Sequence, residues 1–267
     1  MLLKNALKDK LTKEELDLVP KAFDQVGSIA IFSEFPEGLS KKERIIGNTL
    51  IEINKPIKTV VKKVSKHSGI FRTKKVKIIA GKRSKITEHK ESGVRVRLNI
   101  DTCYFSPRLS SERLRIAKLV KKGESVLVLF SGVGIYPFII AKHSNAKKIV
   151  GVELNNHAHK FAVENLKYNK VDNIEFINSD VRKYTPKTKF DRIIMPLPGD
   201  GEKFLGIIPK LAKKGAMIHF YDFQHDGEFD KSKIEIKNIF PNAKILRVVR
   251  TGMYAPRWFR LCVDFKI

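Results

Sequence analysis

Acidic residues, cysteines and long apolar runs are all scarce in this chain, and each shortage closes off a class of protein. Asp and Glu number 28 against 53 Lys and Arg, a formal net charge of +25 over 267 residues. Self-repulsion of that size works against a compact state, so solubility alone does not account for it. Lysine enrichment of the thermophile kind brings glutamate with it, and here glutamate does not keep pace. The excess therefore points to a polyanionic partner, and nucleic acid is the expectation. The two cysteines, Cys103 and Cys262, form neither a metal-ligand spacing nor a disulfide framework. That suits a reducing, cytoplasmic setting and predicts no metal. The opening residues, MLLKNALKDKLTKEEL, hold no long apolar run and no cleavage site, so neither a signal peptide nor a membrane span is expected. Internal repeats and low-complexity linkers are also missing. What remains is 42% hydrophobic, enough to bury the core of one large domain or two small ones.

The charge is unevenly spread. Residues 1–53 carry 8 basic and 9 acidic side chains, whereas residues 54–97 carry 15 basic and only 2 acidic ones, Glu88 and Glu91. In the first stretch Leu7, Leu11, Leu16 and Val19 keep helical spacing up to Pro20, residues 27–32 read as a strand, and a helix is expected over 41–52. The basic stretch contains short strand patterns at 60–64, 76–80 and 94–98. The last of these alternates valine or leucine with arginine, the mark of a half-buried strand with a cationic outer face. Folded and nearly sign-pure, this segment is read as a surface for backbone phosphates. The expected organisation is an N-terminal α+β domain over 1–100 and an α/β domain over 101–267.

The second half alternates strand and helix. Strands are expected at 126–130, 148–152, 173–177, 190–195 and 216–221, with helices at 114–120, 138–142, 157–169 and 204–214. Residues 243–250 and 258–265 read as a terminal antiparallel pair. Such alternation predicts a mostly parallel sheet with helices on both faces, whose ligand lies at the carboxyl ends of the strands. The loop after the first of these strands is Phe130-Ser-Gly132-Val-Gly134. It lets backbone come close to a ligand at a helix N-terminus. A third glycine, as dinucleotide sites have, is lacking, because Pro137 stands there. Glu153 ends the second strand, where a carboxylate can accept both hydroxyls of a ribose. Asp180, in Asn178-Ser-Asp180-Val181, follows the third and is placed to bond an adenine amino group. The plain alternatives are an exposed acid at a strand end for Glu153, and a cap or turn residue for Asp180.

Between the halves lies Tyr104-Phe-Ser106-Pro-Arg108-Leu-Ser-Ser-Glu112-Arg113, aromatics, arginines and one acid just ahead of a helix. Ser110 or Ser111 could cap that helix, with Glu112 merely complementing its dipole. This stretch resembles the tRNA guanine-37 N1-methyltransferases of the archaeal and eukaryotic type and their relatives in wyosine biosynthesis. Gly69-Ile-Phe-Arg72-Thr, Ile79-Ala-Gly81, His89-Lys-Glu91-Ser-Gly93, Glu153-x-Asn155, Glu164-Asn165, Asp191-Arg-Ile-Ile-Met195 and Leu197-Pro198 carry the likeness along residues 25–265. The resemblance implies an α/β fold of the class I S-adenosylmethionine-dependent methyltransferases. That fold is Rossmann-like with a mostly parallel seven-stranded sheet, here behind a smaller N-terminal α+β domain.

It also implies roles. Glu112 would remove the N1 proton of guanine while Arg72 steadies the charge on O6. Guanine N1 is a poor nucleophile while protonated, so both terms are chemically required. Ser106, Arg113, Phe130, Gly132, Gly134, Glu153, Asp180 and Val181 would hold the S-adenosyl-L-methionine cofactor. Tyr104, Arg108, Pro196 and Pro198 would line the substrate cleft, with Tyr136, Tyr254 or Trp258 as candidates to stack on target bases. The implied partner is the anticodon loop of tRNA, gripped by segment 54–97 and by Arg247, Arg250, Arg257 and Arg260, and the protein is expected to be a monomer.

Departures refine this. Val128 replaces an acid common in the family, and the loop Gly134-Ile-Tyr-Pro137-Phe is longer than usual. Pro196-Leu-Pro198 replaces Asn-Leu-Pro, removing an amide from the pocket. In this the chain resembles the branch that also methylates carbon 7 of 4-demethylwyosine to give isowyosine. By this resemblance it is expected to begin near the second domain of longer relatives, without the small domain that grips the tRNA elbow. A wyosine-pathway aminocarboxypropyl transferase and a non-catalytic RNA-binding protein remain as alternative readings. A nicotinamide oxidoreductase is disfavoured by the charge and by Pro137.

Overall fold

The computed structural model describes residues 2–64 and 69–267; residues 65–68 of the basic segment lie outside it. The chain forms two compact units, residues 1–90 with 95–107, and residues 91–94 with 108–267. The division thus falls seven residues beyond the expected boundary at 100/101, and the turn at 91–94 goes with the second unit.

In the first unit α1 (Leu2–Ala6) and α2 (Lys13–Leu18) replace the single helical stretch expected up to Pro20. Thr12 is the cause. Its side chain accepts from Glu15 N while the Glu15 carboxylate accepts from Thr12 N, a capping box that starts a new helix. The apolar spacing still does its work, since Leu7, Leu11 and Val19 are all buried. A four-stranded sheet follows, made of β1 (Asp24–Val26), β2 (Ile29–Phe32), β3 (Thr59–Lys63) and β4 (Val76–Gly81) in sequential order, with β2 and β3 parallel. Helix α3 (Glu43–Ile53) lies on β3 and β4 with Ile46 and Leu50 inward. It comes close because Gly47 has no side chain, and a Cβ there would stand 2.5 Å from that of Ala80.

β5 (Ile86–Glu91) and β6 (Val94–Asn99) pair by themselves. β6 buries Val94, Val96 and Leu98 and exposes Arg95 and Arg97, as its alternation requires. Part of the basic segment is engaged at home. Lys62 and Lys77 hold buried Glu43, Lys85 holds Asp101 at 3.1 Å, and Arg95 forks onto Glu88.

The second unit is built on a seven-stranded sheet of β7 (Ser125–Leu129), β8 (Lys148–Glu153), β9 (Ile174–Asn178), β10 (Phe190–Met195), β11 (Ala212–His225), β12 (Lys244–Ala255) and β13 (Trp258–Lys266). Its order is β12-β13-β11-β10-β7-β8-β9. β7 to β11 run parallel, and β13 and β12 are added antiparallel. From β7 the chain steps outward to β8 and β9, then returns to the other side of β7 for β10 and β11. The reversal sits between β7 and β10, and that is where a crevice opens at the carboxyl ends. Its helices are α4 (Ser110–Leu119), α5 (Ile135–His143), α6 (Asn156–Asn169), the short α7 (Ile208–Leu211) and α8 (Lys231–Ile239).

The helix expected over 204–214 stops at Leu211, and β11 starts at once. Phe190 pairs with Ala212 but Arg192 with Met217, so residues 213–216 bulge out of the ladder, with Gly215 at φ +77°. A Lys-Lys-Gly bulge inside a strand has no periodicity to betray it.

The sheet has two different faces. Leu127, Leu129, Ile193, Met195, Ile218, Phe220, Val263 and Phe265 belong to one apolar core. The alternate positions bring Arg192, His219, Tyr221, Cys262 and Asp264 to the other face, all but fully buried.

Candidate functional site

At the switch point the backbone is forced into unusual shapes. Phe130, Gly132 and Gly134 all have positive φ, at 53°, 58° and 85°. A Cβ on Gly134 would lie 2.6 Å from Phe176 and 2.8 Å from Phe138, so nothing larger fits at the start of α5. The Gly132 N–H donates to Glu153 Oε2 at 2.8 Å and the Asn155 N–H to Glu153 Oε1 at 2.7 Å. Burial raises the Glu153 carboxyl against these bonds. A carboxylate has about four acceptor sites, so these two bonds leave room for a diol. Ser131 Oγ, in the same loop, is buried with no hydrogen-bond partner among the described residues.

The motif asparagines turn out to be braces. Asn155 caps α6 by accepting from His157 and Ala158 N–H, and the buried Asn165 donates to Val133 O in the glycine loop. Asp191 fixes the start of β7 through Ser125 N–H at 2.9 Å.

The other expected cofactor residues are placed less simply. Asp180 grips its neighbour Arg182 through backbone and side chain, and this pulls its carboxyl down to about 2. Arg182 is exposed, so such a pair holds weakly and can be displaced. Val181 is core, and the Phe130 ring packs edge-on against Phe204. Arg113 is buried and forks onto Glu91 at 2.6 and 2.5 Å, with its guanidinium over the Tyr136 ring. Its side chain is thus held in a buried ion pair.

Ser106, Tyr104 and Arg72 belong to the first unit, where Arg72 and Tyr104 line one cavity with Lys63 and Lys74. Arg72 has φ +50°. Arg108 is exposed in the short 3-10 turn Pro107–Leu109. After β10, Leu197 N–H turns back to Met195 O at 2.8 Å, and neither Pro196 nor Pro198 has an N–H. This turn presents no free backbone donor.

Neither Ser110 nor Ser111 caps α4. The N-cap is Leu109, without a side-chain bond, and Glu112 does more than complement the dipole. It is buried, and Arg115 clamps it through Nε to Oε2 at 2.6 Å and Nη2 to Oε1 at 2.8 Å. Tyr221 OH donates to Oε1 at 2.5 Å and receives from Tyr136 OH at 3.2 Å. Three of the four acceptor sites of Glu112 are filled, and the open one is on Oε2. Phe220 pairs with Met195, the last residue of β10, so Tyr221 stands just past the end of the parallel strands. Glu112 is thereby held at the carboxyl edge, beside the switch point.

Behind it runs a ladder the sequence reading did not foresee. Arg115 Nη1 reaches Asp264 at 2.7 Å, Asp264 receives from His219 Nδ1 at 2.6 Å, and His219 Nε2 faces Arg192, which forks onto Glu124. Burial pushes the His219 imidazole below its usual range. Burial works to raise Asp264, but the bonds from His219 and Arg115 outweigh it and leave the carboxyl well below the carboxylate range. The Cys262 thiol and the Tyr221 and Tyr136 phenols are all pushed up by burial. His219, Cys262 and Asp264 lie together in the spacing of a metal-binding trio, yet their atoms are satisfied by one another between two guanidiniums, and the thiol keeps its proton. The signal available in the sequence was a charged residue inside otherwise apolar strands, at Arg192 and Asp264.

This topology and glycine loop have counterparts. Residues 87–248 match the TRM5/TYW2 methyltransferase domain. The chain belongs to that family. Residues 3–84 also match the TYW2 N-terminal domain. Among curated relatives, this TRM5/TYW2 chain is 37% identical to tRNA (guanine(37)-N(1))-methyltransferase Trm5b of Pyrococcus abyssi, over 93% of the chain and 76% of the relative. It is 32% identical to the tRNA (guanine(37)-N(1))/4-demethylwyosine(37)-methyltransferase Taw22 of Nanoarchaeum equitans, over 86% of the chain and 92% of that protein. A solved complex of aTrm5 with tRNALeu superposes with a TM-score of 0.88 at 34% identity, over 99% of this chain and 78% of that one. No helix among the described residues is long and apolar enough to cross a membrane.

Proposed function

We propose that the protein transfers the methyl group of S-adenosylmethionine to N1 of guanine-37 in tRNA, with Glu112 as the proton acceptor. The observation that carries this is the single open acceptor site on a buried, clamped Glu112 carboxylate at the carboxyl edge of the sheet.

The residues at the switch point fit the cofactor. Glu153 offers its unfilled acceptor sites to the ribose hydroxyls, the unpartnered Ser131 Oγ and the glycine backbone take the methionine end, and Asp180 reaches adenine once Arg182 yields. When bound, S-adenosylmethionine supplies a methyl group already activated on a sulfonium. This chain's work is then positioning and proton management. In that transfer Glu112 Oε2 would take the N1 proton, and Arg72, in the first unit, is the candidate to steady the charge on O6. Arg115 and Tyr221 keep the carboxylate from turning away. Ser106, Arg113 and Val181 are the remaining candidates for the cofactor, and Tyr104 and Arg108 for the base. The basic segment of the first unit takes the RNA backbone.

The test is mass spectrometry of anticodon-loop nucleosides after reaction, with wild type beside Glu112→Gln. The amide keeps the Tyr221 bond but cannot take the proton, so methylation should fall about 10²- to 10⁴-fold. Equal rates would remove Glu112 from the mechanism. Chromatography of the spent cofactor should give S-adenosylhomocysteine; methylthioadenosine would mean aminocarboxypropyl transfer instead.

The donor-free turn at Pro196–Pro198 favours a second activity, C7 methylation of 4-demethylwyosine. A wall without N–H groups imposes no pattern on the base edge and accepts a tricycle. tRNA carrying that tricycle should gain the mass of one methyl group, and no gain would exclude it.

A further inference from the structure

β11 and β13 do not stop where the parallel strands stop. β10 ends at Met195, level with Phe220, while β11 continues to His225, paired with Trp258 at the start of β13. The pairs His219–Asp264, Tyr221–Cys262, Phe223–Arg260 and His225–Trp258 all lie on one face, because cross-strand partners share a side and alternate residues repeat it. The face that holds Glu112 and its ladder therefore continues outward without a break. Its character changes from buried and polar to exposed and aromatic.

The outer part is already arranged for stacking. Tyr254 lies over Phe223 with ring centroids 4.3 Å apart and 34° between planes, and Arg260 covers Phe223 at 5.3 Å. Tyr254 is 61% and Trp258 41% exposed. Arg260 Nε is buried without a hydrogen-bond partner among the described residues. Arg247 and Arg257 are exposed on the same β12–β13 hairpin. Exposed aromatic surface calls for an explanation. Flat rings interleaved with arginines, on a chain of net charge +25, suit unpaired nucleobases with their phosphates. Four residues of strand separate Tyr221 from the level of Trp258, about 13 Å at the usual rise. That length holds about four bases stacked at 3.4 Å.

We propose that Phe223, Tyr254, Arg260 and Trp258 form a stacking strip for the single-stranded RNA nucleotides adjoining the target base. The proposal rests on the nucleotide-directed function above, but it is tested by binding rather than by turnover.

Trp258 is the single tryptophan in the chain, so intrinsic emission reports on the strip alone. The full chain is titrated with a synthetic RNA hairpin carrying a seven-nucleotide loop, and separately with a blunt duplex of the same stem. Anisotropy of labelled RNA measures binding independently. We expect saturable quenching of Trp258 by the looped RNA and none by the duplex. Tyr254→Ala and Trp258→Ala should weaken looped-RNA binding about five- to fifty-fold. They should leave S-adenosylmethionine affinity and the melting temperature in place. Looped RNA that binds without altering Trp258 emission would overturn the strip, as would variants within twofold of wild type. So would sedimentation showing that the strip mediates self-association lost in Trp258→Ala. If methyl transfer fails while quenching persists, the strip stands and the assigned reaction falls; the reverse result does the opposite.

Discussion

Arg115→Met removes four hydrogen bonds at once, two to Glu112 and two to Asp264. It leaves both carboxylates buried, and only His219, Tyr221 and Cys262 remain to share them. Breaking a buried pair by deleting one partner costs about 3–5 kcal/mol, because a charge is stranded. The Arg115 side chain keeps 20% of its exposure, so water can follow the vacated space and the lower end, about 3 kcal/mol, applies. For a chain of this size that is a fall of about 6–12 °C in melting temperature.

A second variant separates this from a simple packing loss. Glu112→Gln relieves one of the stranded charges, so the double variant Glu112→Gln/Arg115→Met should be more stable than the summed losses by at least about 1 kcal/mol. Arg115→Lys restores the charge but not the fork, and should recover only part. Differential scanning calorimetry on wild type, the Arg115→Met and Glu112→Gln variants and the double variant closes the cycle. A melting temperature within 2 °C of wild type for Arg115→Met, or strict additivity, would refute the claim that this arginine clamps the base.

His219 and Asp264 both have pKa values below their unfolded ones, so the folded state binds fewer protons. Their contribution is complete above the unfolded His value near 6.5 and is lost as pH falls, first through His219 and at the lowest pH through Asp264. Melting temperature should therefore decline from pH 7 to pH 5, and His219→Gln should flatten that slope. Gly134→Ala pushes a methyl into Phe176 and Phe138 at a positive φ; calorimetric titration should show S-adenosylmethionine affinity lost by tenfold or more. RNA affinity should fall about a thousandfold between 50 and 200 mM salt if six phosphates are contacted. Arg97→Ala should lower the logarithmic slope by about one, read by filter binding.

The sheet, the switch-point loop and the terminal pair were legible because buried parallel strands write themselves as apolar runs, as at Val126–Leu129 and Phe190–Met195. β5 was not, since ITEHKE buries only Thr87 and Glu91 and alternates no apolar residues. α8 was missed for the same kind of reason, as Lys231–Ile239 buries only Ser232 and Ile236. The site was half legible. Gly132, Gly134 and Glu153 announce themselves by place, each at a strand end. Arg115, Tyr221, His219 and Asp264 lie up to 149 positions apart and meet only through strand register. Nothing local in the sequence shows that Glu91 will pair with Arg113.

The buried ladder from Glu124 to Glu112 is built from an odd number of formally charged side chains. Three carboxylate side chains face two guanidiniums, and burial holds His219 below its usual range, on its neutral side at pH 7. The ladder as a whole thus carries one formal unit of negative charge, in surroundings that screen it poorly. Such a site discriminates between a ligand with a cationic centre and the same ligand after that centre has been neutralised. The spent cofactor lacks that cationic centre, so the resting enzyme should bind it less tightly than the methyl donor.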